Sequence, residues 1–180
     1  SALLIRELTG LGAEVRTIMT ESAKAFITPL TLQALSGYEV RTTLFDTQAE
    51  RAMGHIELAR WADFFVISPA SANTIAKCAN GLADDLLSTV YLAGEAPVLI
   101  CPAMNHKMWS HQATQENIEK LKNHGCQIIG PDKGEQACGE YGYGRLSDVS
   151  EIIDGIRLAT IKPCLKGQHI LITAGPTREA

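Results

Sequence analysis

The sequence lacks a long apolar run, an excess of one charge and any strongly basic stretch. Its longest apolar runs have the length of a strand, far below the roughly 20 residues that a membrane-spanning helix needs. The net charge is −4, and no run of Lys or Arg stands out. These absences argue against a membrane span and leave no electrostatic footprint for nucleic acid or for a membrane surface.

The cysteines and histidines are not spaced as in a disulfide framework or a metal site. The five cysteines form no C-x-x-C pair, which is typical of reduced thiols in a cytosol. The opening residues do not have the pattern of a signal peptide, so we expect a cytoplasmic protein. No two histidines are spaced i,i+4, and we therefore expect no metal site. The cysteines are Cys78, Cys101, Cys126, Cys138 and Cys164, and the histidines are His55, His106, His111, His124 and His169.

Length and periodicity predict an α/β fold. At 180 residues with 46% hydrophobic content, the chain can bury a full-sized core. Helical patterns alternate with short apolar strands, which favours a doubly wound parallel sheet of the flavodoxin-like or Rossmann-like kind. Such a sheet begins on a strand, whereas the first pattern here is a helix over Ser1–Leu8, followed by a strand over Val15–Met19. We therefore expect the first strand and its phosphate-binding turn upstream of residue 1.

One stretch in the middle of the chain predicts both a central strand and a ligand-binding residue after it. The apolar residues Val98–Cys101 lie between two prolines and predict a buried parallel strand. Asn105 follows this strand, where ligands bind in open α/β sheets. Its amide can both donate and accept hydrogen bonds, as a ligand contact requires. The alternative is that Asn105 only caps the next helix, which is a common role of Asn.

Two further polar clusters follow predicted strands. Thr20-Glu21-Ser22 comes after Val15–Met19 and offers hydroxyls and a helix start. Ser71, Asn73 and Thr74 follow the strand Phe64–Ile67 and begin a helix. Each cluster alone is consistent with an ordinary helix cap. With Asn105 as the third cluster, their convergence predicts a ligand cleft.

Two other segments carry candidate chemistry. His55 begins a predicted helix, where it is either a surface cap or a general base. Residues 130–145 contain five glycines and two tyrosines and predict a mobile flap with Cys138 on it. The apolar settings of Cys78, Cys101 and Cys126 indicate packing instead. Residues 38–51 show no clear period and predict a surface loop.

The end of the chain predicts a change of domain. Residues 162–167 resemble a linker, and His169–Thr173 reads as a fresh strand before Ala-Gly-Pro-Thr-Arg-Glu. We therefore expect one domain over residues 1–161, and over 162–180 a linker and the first strand of a second domain that this sequence truncates.

Four short motifs in the chain form a recognisable set: Gly54-His-Ile-Glu-Leu58, Pro69-Ala-Ser-Ala-Asn-Thr74, Pro102-Ala-Met-Asn-His-Lys-Met-Trp109 and Ala137-Cys-Gly-Glu140. They resemble the flavin-containing cysteine decarboxylase family, in particular its members that act on phosphopantothenoylcysteine in coenzyme A synthesis. The pattern Pro-x-Met-Asn-x-x-Met-Trp with a later Ala-Cys-Gly is specific, and the resemblance covers nearly the whole chain. The final Ile172–Glu179 looks like the entry to phosphopantothenate–cysteine ligase.

The resemblance implies roles for individual residues. His55 would be the active-site base, Asn105 would grip the substrate, and Cys138 would be the acid on the flap. The substrate would also contact Met108, Ala137 and Gly139. The residues expected to contact FMN are Thr20, Glu21, Ser22, Ser71, Ala72, Asn73 and Thr74, with the backbone at Ala103.

The resemblance also implies the reaction and the assembly. Phosphopantothenoylcysteine would be oxidised transiently to a thioaldehyde, lose CO₂ and return through an ene-thiol to phosphopantetheine, with FMN unchanged at the end. The family forms homotrimers with FMN near the subunit interface, and often a larger shell of trimers, a dodecamer. Two departures stand out: the glycine-rich turn for the FMN phosphate is not among these residues, and many relatives have Asp where this chain has Glu140.

Three other functions are compatible with this kind of fold. A flavin prenyltransferase has no need for a cysteine on a flap, so Ala137-Cys138-Gly139 argues against it. A phosphatase-regulating relative could work without His55 or Cys138, and both are present. A flavodoxin-type electron carrier would need neither a base nor an acid.

Overall fold

The computed structural model describes residues 1–44, 54–136, 139–160, 169 and 171. In chain order its helices and strands are α1 (Ala2–Gly10), a 3-10 helix (Glu21–Ala25), α2 (Pro29–Ser36), α3 (His55–Trp61), β1 (Phe65–Ala70), α4 (Ala72–Asn80), α5 (Leu86–Ala93), β2 (Val98–Pro102), α6 (His106–Ser110), α7 (Gln112–Asn123), β3 (Gln127–Ile128), β4 (Asp132–Glu135), β5 (Tyr141–Arg145) and α8 (Val149–Thr160).

Strands β1, β2 and β3 form a parallel sheet in that order. Phe65 pairs with Val98 and Ile67 with Ile100, and β3 continues the ladder on the other side of β2. Parallel neighbours need crossover connections, and α4 and α5 connect β1 to β2 while α6 and α7 connect β2 to β3. The predicted α/β class with a parallel sheet is confirmed.

Helices cover both faces of this sheet, because successive strand residues point to opposite sides. On one face Ile67 and Ile100 pack with Ile75 of α4 and Leu121 of α7. On the other face Leu99 and Cys101 pack with Leu4 of α1 and Ile152 of α8. Strand β2, apolar on both sides, therefore lies at the centre of the core, as its sequence predicts. In this list each residue is nearly or completely buried: Leu4, Ile67, Ile75, Leu99, Ile100, Cys101, Leu121 and Ile152.

The strand predicted over Val15–Met19 is wrong: among the described residues its pairing is a single parallel bridge between Ile18 and Arg41. The described part of the predicted surface loop, residues 38–44, contains no helix or regular strand, in agreement with the prediction. It departs from the prediction at Val40, which is buried beside Met19 in a small core cluster. Residues 45–51 of that loop lie outside the described part of the chain.

The segment predicted to be a glycine-rich flap contains an antiparallel hairpin of β4 and β5. Gly134 pairs with Gly142 and Glu135 with Tyr141. The two strands thus pair through their main chains although their sequences lack the alternation of apolar and polar side chains that usually indicates a strand. The predicted linker and second-domain strand over residues 162–180 lie outside the described residues, except for His169 and Leu171. Within the described part of the chain, every helix is too short or too polar to cross a bilayer.

Candidate functional site

The carboxyl ends of β1 and β2 lie side by side. The N–H of Ala103, the first residue after β2, donates at 3.0 Å to the carbonyl of Ala70, the last residue of β1. Ser71, which follows β1, and Ala103, which follows β2, are therefore neighbours at one edge of the sheet. Because Asn105 comes two residues later, the second and third predicted polar clusters share this edge.

The Ser71 cluster forms the N-terminus of α4. The Ser71 hydroxyl accepts from the Thr74 N–H at 3.3 Å and lies 3.1 Å from the Thr74 hydroxyl. Ser71 and Asn73 are exposed, and Ala72 and Thr74 are half-buried. The first turn of this nine-residue helix thus presents N–H groups and hydroxyls to solvent, a donor set that suits an anion or the polar edge of a ring.

The Thr20 cluster caps the 3-10 helix. The Thr20 hydroxyl accepts from the Ala23 N–H at 3.3 Å, and Glu21 forms an ion pair with Lys24 at 2.6 Å. Ser22 and Glu21 are exposed. The cluster has the predicted local form, while its meeting with the Ser71 cluster stays a prediction.

Asn105 combines the two roles that its sequence position allowed. Its Oδ1 accepts from the Lys107 N–H at 2.9 Å and caps α6. Its Nδ2 donates to the Oε1 of Gln136 at 3.2 Å and to the Oε2 of Glu140 at 2.8 Å. The capping interpretation is therefore correct as far as Oδ1 is concerned, but the amide nitrogen lies toward the hairpin.

Gln136 and Glu140, which flank the tip of the hairpin, were not predicted as site residues. Gln136 Oε1 also accepts from the His106 N–H at 3.0 Å. The Glu140 carboxylate lies 3.3 Å from Nδ1 of His106 and 3.7 Å from Nζ of Lys107. A polar residue on each side of Ala137-Cys138-Gly139 was the available signal, but spacing alone does not show that both residues reach Asn105.

Glycines let the hairpin lie directly on the loop after β2. The Met104 N–H donates to the carbonyl of Gly144 at 2.9 Å. A Cβ on Gly142 would lie 2.8 Å from Cβ of His106, and a Cβ on Gly144 would collide with the carbonyl oxygen of Met104. The glycines predicted to make the flap mobile thus serve close packing against Asn105 and its neighbours.

Of the other residues predicted to form the site, the structure describes some and does not describe others. Met108 is half exposed on α6, and Gly139 has a φ of 79°, which favours glycine. Ala137 and Cys138 lie outside the described residues. His55 is the first residue of α3, after the cap Gly54, and is half-buried. The meeting of His55 and Cys138 with Asn105 stays a prediction.

The three cysteines predicted to pack are buried free thiols. Cys78, Cys101 and Cys126 are each at most 7% exposed. Burial raises the pKa of the Cys78 thiol to about 12 and that of Cys101 to about 11. Thiols of this kind are poor nucleophiles and proton donors near neutral pH. Among the residues that the structure describes, no group of metal-ligating side chains is close enough to hold an ion.

A parallel sheet with helices on both faces and polar groups just past its strand ends is the arrangement of α/β proteins that bind nucleotide cofactors. The chain belongs to the flavoprotein family, whose model matches residues 1–160.

Two curated relatives resemble nearly the whole chain. The coenzyme A biosynthesis bifunctional protein CoaBC of Escherichia coli strain K12 is 54% identical over 178 residues, which are 98% of this chain and 44% of that protein. The protein of the same name from Bacillus subtilis strain 168 is 48% identical over 184 residues, again covering 98% and 44%. The chain thus spans less than half the length of these relatives.

Two solved structures share the fold. One is a cysteine-to-serine mutant of PPC decarboxylase complexed with pantothenoylaminoethenethiol, with a TM-score of 0.74 and 33% sequence identity. The match covers 88% of this chain and 91% of that chain. The FMN-dependent cysteine decarboxylase SpaF has a TM-score of 0.72 and 35% identity, with 88% and 89% covered. At these identities the similarity extends beyond the fold.

Proposed function

We propose that this chain is the FMN-dependent decarboxylase part of a coenzyme A biosynthesis protein and converts 4'-phosphopantothenoylcysteine to 4'-phosphopantetheine and CO₂. The observation that carries the proposal is the joining of Asn105, at the end of β2, to the hairpin that bears Ala137-Cys138-Gly139. The similarity to PPC decarboxylase and to the bifunctional CoaBC proteins supports it.

The residues at the strand ends fit FMN. The first turn of α4 offers exposed N–H and hydroxyl donors, and the neighbouring loop at Ala103 provides backbone groups. We assign the cofactor contacts to Thr20, Glu21, Ser22, Ser71, Ala72, Asn73, Thr74 and Ala103. Bound FMN supplies a reversible two-electron oxidation of the carbon that bears sulfur, without which decarboxylation has no electron sink.

Three side chains carry the remaining chemistry. His55 accepts the thiol proton of the substrate, since an imidazole exchanges protons near neutral pH. Asn105 holds the substrate carboxylate by its amide without adding a charge that would oppose the loss of CO₂. Cys138 returns a proton to carbon after CO₂ has left.

The assembly and the domain arrangement are part of the proposal. Phe26, just after the 3-10 helix, is 91% exposed, and Leu30 in α2 is 71% exposed. A homotrimer or a dodecamer of trimers that buried them would remove an apolar surface from water. Residues 1–161 form the decarboxylase domain, and 162–180 begin a ligase domain, as the name and length of the CoaBC relatives suggest. Three buried free thiols agree with a cytoplasmic location.

The test is decarboxylation by the purified protein loaded with FMN. We expect CO₂ and 4'-phosphopantetheine in equal amounts from 4'-phosphopantothenoylcysteine, without an added oxidant. His55→Asn should leave the flavin absorbance unchanged when substrate is added. Cys138→Ser should release CO₂ but stall at the ene-thiol. Transfer of a prenyl group to FMN, or no reaction at all, would contradict the proposal, and a normal yield from Cys138→Ser would remove its acid role.

A further inference from the structure

The orientation of the Asn105 amide is fixed by its neighbours. Nδ2 lies within hydrogen-bond distance of two acceptor oxygens, Gln136 Oε1 and Glu140 Oε2, and Oδ1 accepts a backbone N–H. A flipped amide would bring Oδ1 against a carboxylate oxygen and Nδ2 against an N–H donor. The nitrogen therefore lies toward the hairpin, and its two N–H groups both have partners there.

The two acceptors on Asn105 are held differently. Gln136 is a neutral residue whose Oε1 also accepts from the His106 N–H, and its Nε2 donates to the Tyr143 carbonyl at 3.4 Å. Its backbone N–H donates to the Glu140 carbonyl, and its backbone carbonyl accepts from the Gly139 N–H, both at 2.8 Å. Removing Gln136 from Asn105 would therefore disturb the start of α6 and the turn of the hairpin together.

Glu140 is the more easily released of the two. Its side chain is 40% exposed, so its carboxylate can return to water at small cost. Nδ1 of His106 at 3.3 Å and Nζ of Lys107 at 3.7 Å both lie farther from its carboxylate than the Asn105 amide nitrogen does. A carboxylate from another molecule could take the place of this one beside Asn105, His106 and Lys107, because it has the same charge and the same oxygens.

We propose that Gln136 is a positioning residue that keeps the Asn105 amide nitrogen toward the hairpin, and that Glu140 occupies the second N–H of that nitrogen until the substrate carboxylate replaces it. This inference rests on the proposed function and extends it, since it names which contact the substrate exchanges. Gln136 acts through Asn105, and Glu140 competes with the substrate.

The test compares two ligands on the protein loaded with FMN, by isothermal titration calorimetry. The first ligand is the substrate amide with alanine in place of cysteine, which keeps the carboxylate but has no thiol to oxidise. The second is the corresponding ethylamide, which lacks the carboxylate. A variant that acts on carboxylate recognition changes the affinity for the first ligand alone, whereas general damage to the site changes both.

We expect Gln136→Met to weaken the carboxylate ligand by about 10-fold or more and to leave the ethylamide nearly unchanged. Glu140→Gln, which keeps the shape of the side chain, should strengthen the carboxylate ligand by about 3-fold or more, and Glu140→Ala should do the same. Two matched controls are Glu135→Gln, which removes an exposed carboxylate of β4 beside Gln136, and Gln127→Met, which removes an exposed amide of β3.

Two results would overturn the inference while the proposed function stands. One is wild-type decarboxylation together with equal weakening of both ligands in Gln136→Met. The other is weaker binding of the carboxylate ligand to Glu140→Gln, because a competitor cannot stabilise the complex. A wild type that does not decarboxylate 4'-phosphopantothenoylcysteine would overturn the proposed function, and this inference with it.

Discussion

Asp85 and Asn105 are both helix caps, and they use their side chains in opposite ways. Asp85 accepts from the Ser88 N–H and hydroxyl, both at 2.8 Å, and from Nζ of Lys77, also at 2.8 Å. These contacts stay inside the α4–α5 region, where Ser88 is completely buried. Asn105 uses one oxygen for its cap and directs its nitrogen to a hairpin whose contacts come from 31 and 35 residues away.

The comparison shows that a helix-capping side chain can serve either the stability of the fold or the binding of a ligand. A carboxylate whose neighbours are all supplied by the scaffold stabilises the fold and has little left to offer a ligand. An amide can cap with its oxygen and still present N–H groups, which a carboxylate cannot do. The following predictions test this contrast, from the largest expected effect to the smallest.

Asn105→Asp should reduce kcat/KM by at least about 100-fold, because a carboxylate would face Glu140 and the substrate carboxylate with the same charge. The fold should persist, since Asp caps a helix as well as Asn does. Steady-state kinetics and thermal unfolding measure the two effects. Wild-type kinetics in this variant would show that the Asn105 nitrogen does not serve the substrate.

Gly144→Ala should reduce kcat/KM by about 10-fold, because the added Cβ would collide with the Met104 carbonyl oxygen and lie 2.6 Å from Nε2 of Gln136. The hairpin would then move away from Asn105. Gly125→Ala is the control, since Gly125 also has a positive φ of 87° but has open space around it. Equal activity of the two variants would contradict a role of hairpin packing in the site.

Asp85→Ala should lower the free energy of unfolding by about 2 kcal/mol while kcat stays within about two-fold of wild type. It removes a helix cap and a partner of Lys77, both far along the chain from Asn105. Asp84→Ala, which removes the more exposed partner of Lys77, should cost less. Urea unfolding measures both, and a large loss of kcat would place Asp85 in the site.

The Asp85 contribution should depend on pH. Burial alone would raise the pKa of the Asp85 carboxyl, but hydrogen bonds from Lys77 and Ser88 outweigh it and hold this pKa below its usual range. A group with a lowered pKa stabilises the fold above its unfolded pKa, and the stabilisation is lost as the pH falls through the folded value. The stability difference between wild type and Asp85→Ala should therefore be constant at neutral pH and shrink only below about pH 4.

The smallest effect concerns the buried thiols. At pH 8, Cys78 and Cys101 should remain almost unlabelled by iodoacetamide in the native protein, since their raised pKa values leave little thiolate and burial blocks access. Peptide mass spectrometry before and after unfolding measures the labelling. Rapid labelling of Cys101 in the native state would contradict its position in the core.

The central strand and the helix caps could be predicted from sequence because they depend on neighbouring residues. Pro97 and Pro102 mark the limits of β2, and Thr28-Pro29 with Gly37 marks those of α2. Strands β4 and β5 could not be predicted in this way, because β4 is Asp-Lys-Gly-Glu and β5 alternates tyrosine with glycine, so neither shows an alternation of apolar and polar side chains. Val15–Met19 has the apolar pattern, but its described pairing is one bridge to Arg41.

The residues of the site were likewise predictable only where their position depends on neighbouring residues in the sequence. Asn105 could be recognised as a candidate because its position depends on the strand immediately before it. Gln136 and Glu140 could not, since their contacts with Asn105 arise when the hairpin packs on the loop after β2. Sequence spacing contains no information on which side of a glycine-rich turn will lie against a distant residue.

The buried Ser147 hydroxyl donates to Asp132 at 2.6 Å and joins the root of the hairpin, at the opposite end from Gln136 and Glu140. Residues inserted between Gln136 and Glu140 would therefore lengthen the hairpin without breaking the contact between Ser147 and Asp132 at its root. We expect laboratory selection for bulkier cysteine-terminated substrates to accumulate its changes between Gln136 and Glu140, while the root of the hairpin and the parallel sheet keep their sequence.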